Sequence, residues 1–568
     1  MKEKKQTARK RVSADGGARS CRADKRKKGR KAPRVAGNGR KSRLKYAPPA
    51  PAAHGRTETF VEGGLQGSER GYAFLLNEDG DYYIAAEDLH GAFHGDRVLA
   101  REIHSRGHSR QAEVVKILAR GNALLSGTFV NNRGFVTPDE RRFFADIFIP
   151  QGASKGAESG DKVAVKITEY PRRGNPKGEI AEVFGRQFDR NAELKSIMYA
   201  FGVAGEFSKA VKTAAKKVAS EDISAEKTRR KDLTGELVIT IDGEDARDFD
   251  DAISIAKDDR MYKLGVHIAD VSHYVKEGAA VDKEAFERAT SVYFPEKVVP
   301  MLPESLSNGA CSLVEGEDRL TLSCIMLVDE NGAVVSHEIC ESVIRSAARM
   351  TYTNVQKILD GDRALSAKYA RLKNMLRDME SLYKILAAKR AARGSVDFEL
   401  PETQIEINGG EIELKKRPRD TAHKLIEEFM ILANETVAEH LFGAKAPCVY
   451  QRPEAGKLAA FYDFLEGLGV TIERRESVTG KDFSDILAAL KGKPYYPVVN
   501  SVMLRTMQKA KYAPADIGHF GLASRHYCHF TSPIRRYPDL VVHRILRTCL
   551  QKGVSAAKKA YGDAVGEA

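Results

Sequence analysis

Alternating apolar and polar positions mark two consecutive stretches in the first third of the chain. Between residues 56 and 118 the alternation predicts strands at residues 57–61, 71–76, 81–85 and 97–103. The same plan returns between residues 119 and 187, where it predicts strands at residues 124–130, 134–137, 145–150 and 162–168. The two stretches therefore predict two consecutive all-β modules, each a small five-stranded barrel of the OB type.

Aromatic residues recur on these predicted strands. They are Tyr72, Phe74 and Tyr83 in the first module, and Phe135 and Phe148 in the second. Aromatic side chains on a sheet face can stack on nucleic-acid bases without reading their sequence. Alternation also turns half of each strand inward, so we expect any one of the five to occupy a core position. RNA contact is assigned to the modules and not to single residues.

Helical periodicity replaces the alternation after the second module. Residues 188–231 are predicted to form a highly charged helical connector, and from residue 232 strands mix with long helices in an α+β pattern. The predicted helices span residues 352–359, 364–393, 421–442, 457–468, 483–490 and 498–511. The helix at 421–442 is apolar on several faces and is predicted to lie in the core. Its polar residues Glu427, Glu428 and Asn434 are expected to be satisfied structural groups.

An acidic segment lies between two apolar runs, at residues 237–239 and 252–253, and the pattern predicts strand, loop, strand. Within ten residues it carries Asp242, Glu244, Asp245, Asp248, Asp250 and Asp251. Carboxylates this close repel one another unless a cation lies between them, and Mg²⁺ prefers such oxygen ligands. An EF-hand is excluded because its ligand ladder and closing Glu are absent. A solvated acidic turn remains the alternative, although Phe249 in its middle argues against exposure.

A second group of polar residues lies near the end of the chain, between residues 518 and 544. There Ser532-Pro533 precedes Arg535 and Arg536, which predicts a turn entering a helix with both arginines in its first turn. Helix starts and guanidinium groups both bind phosphate. Because positive charge is unfavourable at a helix start, the arrangement favours a bound anion.

Charge and cysteine content indicate which partners and which cellular compartment the protein has. Residues 1–48 contain nineteen of the 92 Lys and Arg but only three of the 78 acidic residues. Residues 1–55 are therefore predicted to be a disordered basic arm for RNA or another polyanion, with a solubility tail as the alternative. The seven cysteines show no CxxC and no regular spacing, so the sequence supports neither a zinc site nor a disulfide framework. With no apolar run long enough to span a membrane, we expect a soluble, cytoplasmic protein.

Taken together, these motifs resemble those of the ribonuclease R and ribonuclease II family. The resemblance is carried by residues 240–251, His267-Ile-Ala-Asp-Val, Ser291-Val-Tyr-Phe-Pro, Pro300-Met-Leu-Pro and the block 518–544. It runs from about residue 57 to the end of the chain, and the two cold-shock-like modules fit the ribonuclease R branch. The implied fold is two all-β OB-fold barrels followed by an α+β RNB catalytic domain. The implied domains are residues 1–55, 56–118, 119–187, 188–231 and 232–568.

The resemblance also implies the site. Asp242, Asp248, Asp250 and Asp251 would hold two Mg²⁺ ions (or Mn²⁺), whereas Glu244 and Asp245 are not ligands in the family. Tyr293 would pack on the terminal nucleotide, Phe398 would close the other end of the base stack, and Arg535 would contact the scissile phosphate. The implied reaction is processive 3′-to-5′ hydrolysis of single-stranded RNA, and of structured RNA from a 3′ overhang, to nucleoside 5′-monophosphates.

The chain departs from the family pattern in several places. Family members carry a winged-helix domain, later catalytic helices with a further acidic residue, and a final OB domain, which we expect to be missing here. Residues 449–454 lack the usual His and Arg spacing. Two alternatives stay open: a non-catalytic RNA-binding or regulatory relative, and a ribonuclease II-like enzyme blocked by duplex. Expected partners are single-stranded RNA and ribosomal or RNA-decay factors, with a monomeric chain and no membrane.

Overall fold

The computed structural model describes residues 59–77, 80–103, 110–130, 133–171, 174–398, 403–408, 411–416, 419–442, 448–450, 455–475, 477–507, 509–513 and 518–561. The chain divides into two units, Met1–Thr59 and Phe60–Ala568. The basic arm predicted at residues 1–55 lies outside the described residues, as do residues 451–454 of the departing segment. The elements below all belong to the second unit.

The first module is a closed five-stranded barrel. Its strands are β1 (Phe60–Gly67), β2 (Ala73–Leu76), β3 (Tyr82–Ile84), β4 (Arg97–Ile103) and β5 (Gln111–Ala119), paired in the order β1-β2-β3-β5-β4. Leu65, Leu75, Ile84 and Val98 fill its core. Strand β5 has no counterpart among the strands predicted individually. Its pairing with β4 contains two register shifts, which interrupt the alternation that would have revealed it.

The second module repeats this plan. Its strands are β6 (Leu124–Val130), β7 (Phe135–Pro138), β8 (Ile147–Phe148), β9 (Asp161–Glu169) and β10 (Lys177–Arg186), and they close in the order β10-β8-β7-β6-β9. Phe129, Val136, Ile147 and Val163 are buried inside. Strand β10 pairs with β9 through three register shifts and, like β5, was not predicted individually. The two predicted barrels are thus confirmed.

The expectation of a core position for each barrel aromatic is wrong. All five side chains lie on outer faces, where Tyr72, Phe74 and Tyr83 form one cluster with ring centroids 5.4, 5.7 and 6.0 Å apart. Phe135 and Phe148 form a second cluster at 5.4 Å. Their small or aliphatic neighbours point inward instead, as Ala73 does, because successive strand residues face opposite ways.

Three helices connect the barrels to the rest of the chain: α1 (Arg190–Ala200), α2 (Lys209–Ala219) and α3 (Ser224–Arg229). The Asp189 side chain caps α1 by accepting the Ala192 N–H, and Ser208 caps α2 by accepting the Val211 N–H. Helix α2 buries Val211 and Ala215 in the large core of the following domain. The predicted helical connector is therefore confirmed, with shorter helices than expected.

A six-stranded sheet forms the centre of the last domain. Its strands are β11 (Lys231–Asp232), β12 (Val238–Asp242), β13 (Asp251–Asp258), β14 (Met261–Ala269), β17 (Asp318–Val328) and β18 (Val334–Thr351), in the order β11-β18-β12-β13-β14-β17. Because β17 also pairs with β18, five of these strands close into a ring. The small hairpin β15 (Val292–Tyr293) and β16 (Val298–Val299) lies between β14 and β17 in sequence.

Helices pack around this sheet, which confirms the α+β prediction. They are α4 (Val271–Tyr274), α5 (Ala280–Arg288), α6 (Tyr352–Leu359), α7 (Arg363–Lys368), α8 (Lys373–Arg393), α9 (Thr421–Leu441), α10 (Ala455–Gly467), α11 (Gly480–Leu490), α12 (Tyr496–Thr506), α13 (Tyr537–Lys552) and α14 (Val554–Tyr561). Two further hairpins are β19 (Thr403–Asn408) with β20 (Glu411–Lys416), and β21 (Cys448–Tyr450) with β22 (Lys511–Ala513). Within the described ranges, no helix combines the length and apolar character that crossing a membrane requires.

Two predicted helices differ from the structure. The segment predicted as one helix at 364–393 is two helices, α7 and α8, separated by a 3₁₀ turn at Ala370–Leu372. The helix predicted at 498–511 ends at Thr506, because Met507 adopts an extended backbone that leads to β22. The length of α9 was predicted almost to the residue, and its apolar faces are buried as expected.

The polar residues of α9 are satisfied, as predicted. Glu428 accepts a 2.7 Å hydrogen bond from Arg390, and Glu427 pairs with Arg419 at 3.0 Å. Asn434 accepts the Phe530 N–H at 2.9 Å. It also donates to the Tyr527 hydroxyl at 3.2 Å. Asn434 thus attaches the segment 527–530 to the buried helix.

A buried ion pair joins the connector to the sheet. The Arg230 Nη2 lies 2.7 Å from the Asp270 Oδ2, and both side chains are fully buried. Asp270 also caps α4 by accepting the His273 N–H at 3.0 Å. Although burial favours the neutral acid, the charges of Arg230 and Arg547 hold the pKa of Asp270 below its usual range. The pair is therefore ionised at neutral pH.

We predict that Asp270→Ala lowers the free energy of unfolding by about 3 kcal/mol, because it removes the fully buried carboxylate that faces Arg230 and leaves this guanidinium with Glu226 at 3.0 Å and Glu341 at 3.5 Å. Since the pKa of Asp270 is lowered on folding, this stabilisation is present above about pH 4 and is lost as the pH falls further. Urea unfolding at pH 7 and at low pH measures both effects.

Glu330→Ala is the matched control. Its partner Arg260 lies 3.5 Å away, and the two side chains are 55% and 74% exposed. That substitution should cost less than about 1 kcal/mol. Equal losses for Asp270→Ala and Glu330→Ala would contradict the importance of the buried pair.

Candidate active site

The acidic segment connects two neighbouring strands of the sheet. Strand β12 ends at Asp242 and β13 begins at Asp251, and the two strands pair antiparallel through Ile239 and Ile253. Asp242 is also opposite Thr351 on β18, in a parallel pairing. Asp242 and Asp251 are therefore placed by backbone hydrogen bonds of the sheet, whereas Asp248 and Asp250 lie on the connecting loop.

The loop itself is anchored to the core. Phe249 is only 7% exposed, its N–H donates to the Ser312 hydroxyl at 3.0 Å, and its carbonyl accepts the Leu313 N–H at 3.0 Å. The Ser312 hydroxyl in turn donates to the Arg247 carbonyl at 2.8 Å. Arg349 donates to the Gly243 carbonyl at 2.6 Å. A solvated acidic turn would not be held in this way, so that alternative is wrong.

Burial separates the six acidic side chains into two groups. Asp250 is 5% exposed, and Asp242, Asp248 and Asp251 are half-buried, whereas Glu244 and Asp245 are exposed. A hydrogen bond from the Thr353 hydroxyl holds the pKa of Glu244 below its usual value. The four buried or half-buried aspartates are the ones that the family resemblance indicated. Their role as metal ligands stays a prediction.

The charges of these aspartates are poorly compensated by the protein. Burial and the charge of Asp251 raise the pKa of Asp242 to about 8, and its buried Oδ2 has no hydrogen-bond partner among the described residues. Burial also raises the pKa of Asp251 to about 6, against the charge of Arg535. It raises the pKa of Asp250 well above the usual range. Divalent cations between the carboxylates would remove this penalty, so the donor set fits metal ions.

One group of residues brings three possible ligand atoms close together. Among the residues that the structure describes, three such atoms converge within 4.8 Å only at Asp88, His90 and Glu113, on the first barrel. There Glu113 is already paired with Arg101. No three carboxylates of the acidic loop bring one ligand atom each within that distance of one another.

The second cluster meets the acidic loop directly. The Ile534 N–H donates to the Asp250 Oδ1 at 2.8 Å, and the Arg535 Nε lies 4.0 Å from the Asp250 Oδ2. The predicted position of the arginines in the first helical turn is wrong. Helix α13 begins at Tyr537, because Arg536 has an extended backbone and its guanidinium binds back to Asp539. Arg535 therefore extends from a turn beside the carboxylates.

Tyr293 belongs to the same region. Its hydroxyl donates to the Asp248 Oδ2 at 3.5 Å, while 54% of the residue remains exposed. Burial of the hydroxyl end and the charge of Asp248 raise the pKa of Tyr293 to about 12. The Arg535 carbonyl accepts the Ser291 N–H at 3.0 Å and the Thr290 hydroxyl at 2.9 Å. The hairpin that carries Tyr293 is thus tied to the turn that carries Arg535.

Phe398 is placed differently from the other predicted site residues. It follows α8 and packs, half-buried, against a separate hydrophobic cluster that includes Val396, Phe461 and Phe483. Among the described residues it makes no ring contact with Tyr293. The structure therefore brings together the four aspartates, Tyr293 and Arg535, and leaves the assignment of Phe398 as a prediction.

Two positioning residues were missed by sequence reasoning. Ser312, which holds the acidic loop, lies 63 residues after Phe249, so no local pattern connects the two. Asp539 is fully buried and accepts the Ser532 N–H at 2.8 Å as well as both bonds from Arg536. Its spacing of three residues from Arg536 is the signal that could have found it.

Comparisons with known proteins agree with this arrangement. The RNB domain family matches residues 230–552, the cold shock domain family matches residues 135–208, and the Ribonuclease B OB domain family matches residues 63–117. Ribonuclease R of Aquifex aeolicus is 39% identical over 87% of this chain and 71% of its own length. Ribonuclease R of Escherichia coli is 38% identical over 87% of this chain and 62% of its own length.

Solved structures show the same similarity. Mycoplasma genitalium RNase R in complex with ribose-methylated single-stranded RNA has a TM-score of 0.80 at 29% identity, covering 89% of this chain and 83% of that chain. The same protein in complex with double-stranded RNA has a TM-score of 0.72 at 30% identity, covering 80% and 83% of the two chains. The yeast pseudonuclease Ssd1, at 20% identity and a TM-score of 0.68 over 86% and 68% of the two chains, shares the fold.

The RNB match covers more than half of the chain, and the Aquifex relative is matched over more than two thirds of its length. The two barrels and the fold of the last domain agree with these matches. The chain therefore belongs to the ribonuclease R family of RNB-domain exoribonucleases.

Proposed function

We propose that this chain hydrolyses single-stranded RNA processively from the 3′ end to nucleoside 5′-monophosphates, with two Mg²⁺ ions (or Mn²⁺) in the aspartate cluster. The observation that carries the proposal is the contact between the Ile534–Arg535 turn and Asp250, inside a group of carboxylates that the protein itself does not neutralise. Membership of the ribonuclease R family supports the reaction, and the donor set supports the metals.

The roles follow from residue type and position. Asp242, Asp248, Asp250 and Asp251 would hold the ions. When bound, the ions supply an activated water and stabilise charge on the phosphate and the leaving oxygen. The hydrogen bond from Ile534 keeps the Asp250 carboxylate in one orientation. The Arg535 guanidinium donates to the Ser532 hydroxyl at 3.0 Å, and with 42% of its side chain exposed it can present its remaining N–H groups to a phosphate.

Stacking would supply the preference for single strands. The exposed ring of Tyr293 lies beside Asp248 and offers a platform for the terminal base, and Phe398 is proposed to close the stack at its other end. A base can stack on such side chains only when it is not paired within a duplex. The outward aromatic clusters of the two barrels, around Phe74 and Phe148, would hold bases further along the strand.

The setting of the reaction is also part of the proposal. Five cysteines of the described residues form no disulfide: Cys311, Cys324, Cys340, Cys528 and Cys549. Thiols that remain reduced fit a reducing compartment, and we place the enzyme in the cytoplasm with RNA as its partner. A monomeric state and contacts with ribosomes or RNA-decay proteins stay predictions.

Two rival functions can be separated from this proposal. A non-catalytic RNA-binding relative would release no mononucleotides from labelled poly(A), whereas the proposed enzyme releases them and its activity stops when EDTA is added.

A ribonuclease II-like enzyme would stall at the base of a hairpin with a 3′ overhang. The M. genitalium relative has been solved with double-stranded RNA, which favours digestion into the hairpin stem by this chain.

We predict that Asp250→Asn reduces mononucleotide release by a factor on the order of 10³ or more, while RNA affinity changes little. The substitution removes ligand charge and leaves the stacking surfaces intact. Single-turnover digestion of labelled RNA and a filter-binding assay in EDTA measure the two quantities.

Asp245→Asn is the matched control for this experiment. Asp245 lies on the same loop but is exposed, so its substitution should leave turnover within about threefold of the wild type. Comparable turnover for Asp250→Asn and wild type would refute the assignment of the aspartate cluster.

We predict that Tyr293→Ala changes the length of the final digestion product, because the terminal base loses its platform. Tyr293→Phe keeps the ring and loses only the hydroxyl contact to Asp248, so it should give the wild-type product. High-resolution gels of limit digests distinguish the variants. An unchanged product in Tyr293→Ala would argue against the stacking role.

We predict that metal binding releases protons at neutral pH. A metal ligand must be deprotonated, whereas burial and neighbouring charge raise the pKa of Asp242 to about 8 and burial raises that of Asp251 to about 6. Metal affinity should therefore rise with pH between about 6 and 8, and proton release should disappear above about pH 9.

Calorimetric titration of Mn²⁺ in two non-chelating buffers of different ionisation enthalpy measures the released protons. Asp242→Asn serves as the comparison, since it removes the group with the raised pKa and should release fewer protons. Metal binding with no proton release at pH 7 would contradict the assignment of Asp242 as a ligand.

A further inference from the structure

A cavity of about 390 Å³ lies between the connector and the hairpin that carries Tyr293. Its walls come from the loop before α2, from α2 itself, from β16 and from the segment that follows β16. The residues used below are Phe207, Lys216, Lys297, Val298, Pro300 and Ser305. The volume falls within the range of roughly 300–1,000 Å³ that is typical of small-ligand sites.

The framework of the cavity is held by a buried arginine. The side chain of Arg288 is only 4% exposed and lies 3.8 Å from the ring centroid of Phe207. Its guanidinium donates to the Gly205 carbonyl at 2.8 Å and to the Pro300 carbonyl at 3.4 Å. Arg288 thus joins the two walls from inside, and its charge is paired with Glu284 at 2.8 Å. A cavity braced in this way is present before any ligand arrives.

The rim of the cavity carries excess positive charge. Lys212 is paired with Glu206 at 2.9 Å. Lys216 and Lys297 are exposed and form no close ion pair within the part of the chain that the structure describes, although the hydrogen bond from Lys212 and the charge of Lys297 both lower the pKa of Glu206. Glu304 is the second carboxylate of the rim. Three lysines against two carboxylates around one concave surface leave a net positive charge that favours an anionic ligand, and phosphate is the anion that lysine commonly binds as a point charge.

The interior of the cavity is apolar with one unsatisfied polar atom. Phe207, Val298 and Pro300 supply the apolar surface. The Ser305 hydroxyl oxygen is buried and has no hydrogen-bond partner among the residues that the structure describes. Buried hydroxyls are nearly always paired in native proteins, so this one, at the wall of the cavity, is available to a polar group of a ligand. The ligand should therefore combine a flat apolar part, a polar edge and a phosphate.

We propose that this cavity binds a nucleotide, with the base against Phe207, Val298 and Pro300, the Ser305 hydroxyl bonded to a polar group of the base or sugar, and the phosphate between Lys216 and Lys297. This proposal rests on the proposed function, because RNA hydrolysis supplies the nucleotide. The ligand is either a released mononucleotide or one unit of an RNA strand. The site itself is separate from the aspartate cluster. Because Val298 pairs with Tyr293 in the hairpin, the two sites share one structural element.

The test is equilibrium binding of 5′-AMP to the full chain in EDTA, measured by calorimetry. The chain used carries Asp250→Asn, so that neither RNA hydrolysis nor metal-dependent binding at the aspartate cluster contributes to the measured heat. We expect 5′-AMP to bind, and the double substitution Lys216→Gln/Lys297→Gln to weaken its affinity at least tenfold. Ser305→Ala should weaken it by a smaller factor. Inorganic phosphate alone and adenosine alone should each bind more weakly than 5′-AMP.

The matched control is Lys209→Gln/Lys217→Gln. Both lysines are exposed on the same helix, α2, but neither lines the cavity, so this variant has the same loss of charge and should bind 5′-AMP as the parent does. Thermal melting of all variants verifies that they are folded. Equal affinity in the two double variants, or no binding of 5′-AMP at millimolar concentration, overturns the proposal.

A competition arm identifies the source of the nucleotide. If a short oligoadenylate displaces 5′-AMP, and this displacement is lost in Lys216→Gln/Lys297→Gln, the cavity takes one unit of a strand. If the oligomer does not displace 5′-AMP, the ligand is the free mononucleotide. Both results support nucleotide binding. A failure of the proposed nuclease activity would show instead in the poly(A) assay, which does not depend on this cavity.

Discussion

The mutual repulsion of four aspartates at the junction of β12 and β13 is the constraint on which the site depends. Asp242 and Asp251 are placed at strand ends by sheet pairing, and Asp248 and Asp250 follow because Phe249 is buried between them. Burial and the charge of Asp251 favour the protonated form of Asp242 and raise its pKa. The fold thus holds the carboxylates in an arrangement that cations would stabilise, which is the physical basis of the proposed metal site.

Three segments distant in sequence converge on these carboxylates. The turn before α13 donates a backbone N–H to Asp250, and Asp539 holds the turn from its other side. The same turn accepts hydrogen bonds from the residues just before Tyr293. Asn434, on the buried helix α9, fixes the approach to the turn through Phe530. The arginine and the tyrosine are therefore positioned relative to the metal ligands by one connected set of hydrogen bonds.

The barrels contribute surface chemistry and not further catalytic groups. Each barrel closes on an apolar core that includes some rings, such as Phe129, and turns a separate cluster of aromatic rings outward, where bases can stack on them. Stacking on such clusters and on Tyr293 would use the flat faces of unpaired bases. The proposed binding along the barrels and the proposed cleavage at the aspartates thus make the same demand on the substrate, an unpaired strand. The nucleotide cavity beside the Tyr293 hairpin adds a place where one further unit could be held.

Local sequence determined much of this architecture. Alternation identified eight of the ten barrel strands, helical periodicity located α6 and α9 closely, and the density of carboxylates drew attention to the acidic loop. These features depend on neighbours in sequence, so their physical cause is visible in short windows. The family motifs added Tyr293 and Arg535, which no local pattern would have assigned to one site.

Only the tertiary structure decided the rest. The strands β5 and β10 contain bulges that obscure their alternation of apolar and polar residues. Whether the barrel aromatics point inward or outward depended on which face of each sheet closed around the core. The start of α13 was set by Arg536 bonding back to Asp539, and Ser312 reached the acidic loop from a distant segment. The inward turn of Asp242, Asp248, Asp250 and Asp251, and the outward turn of Glu244 and Asp245, likewise required the folded sheet. Each of these outcomes arises from contacts between residues far apart in the chain, which a local sequence pattern does not encode.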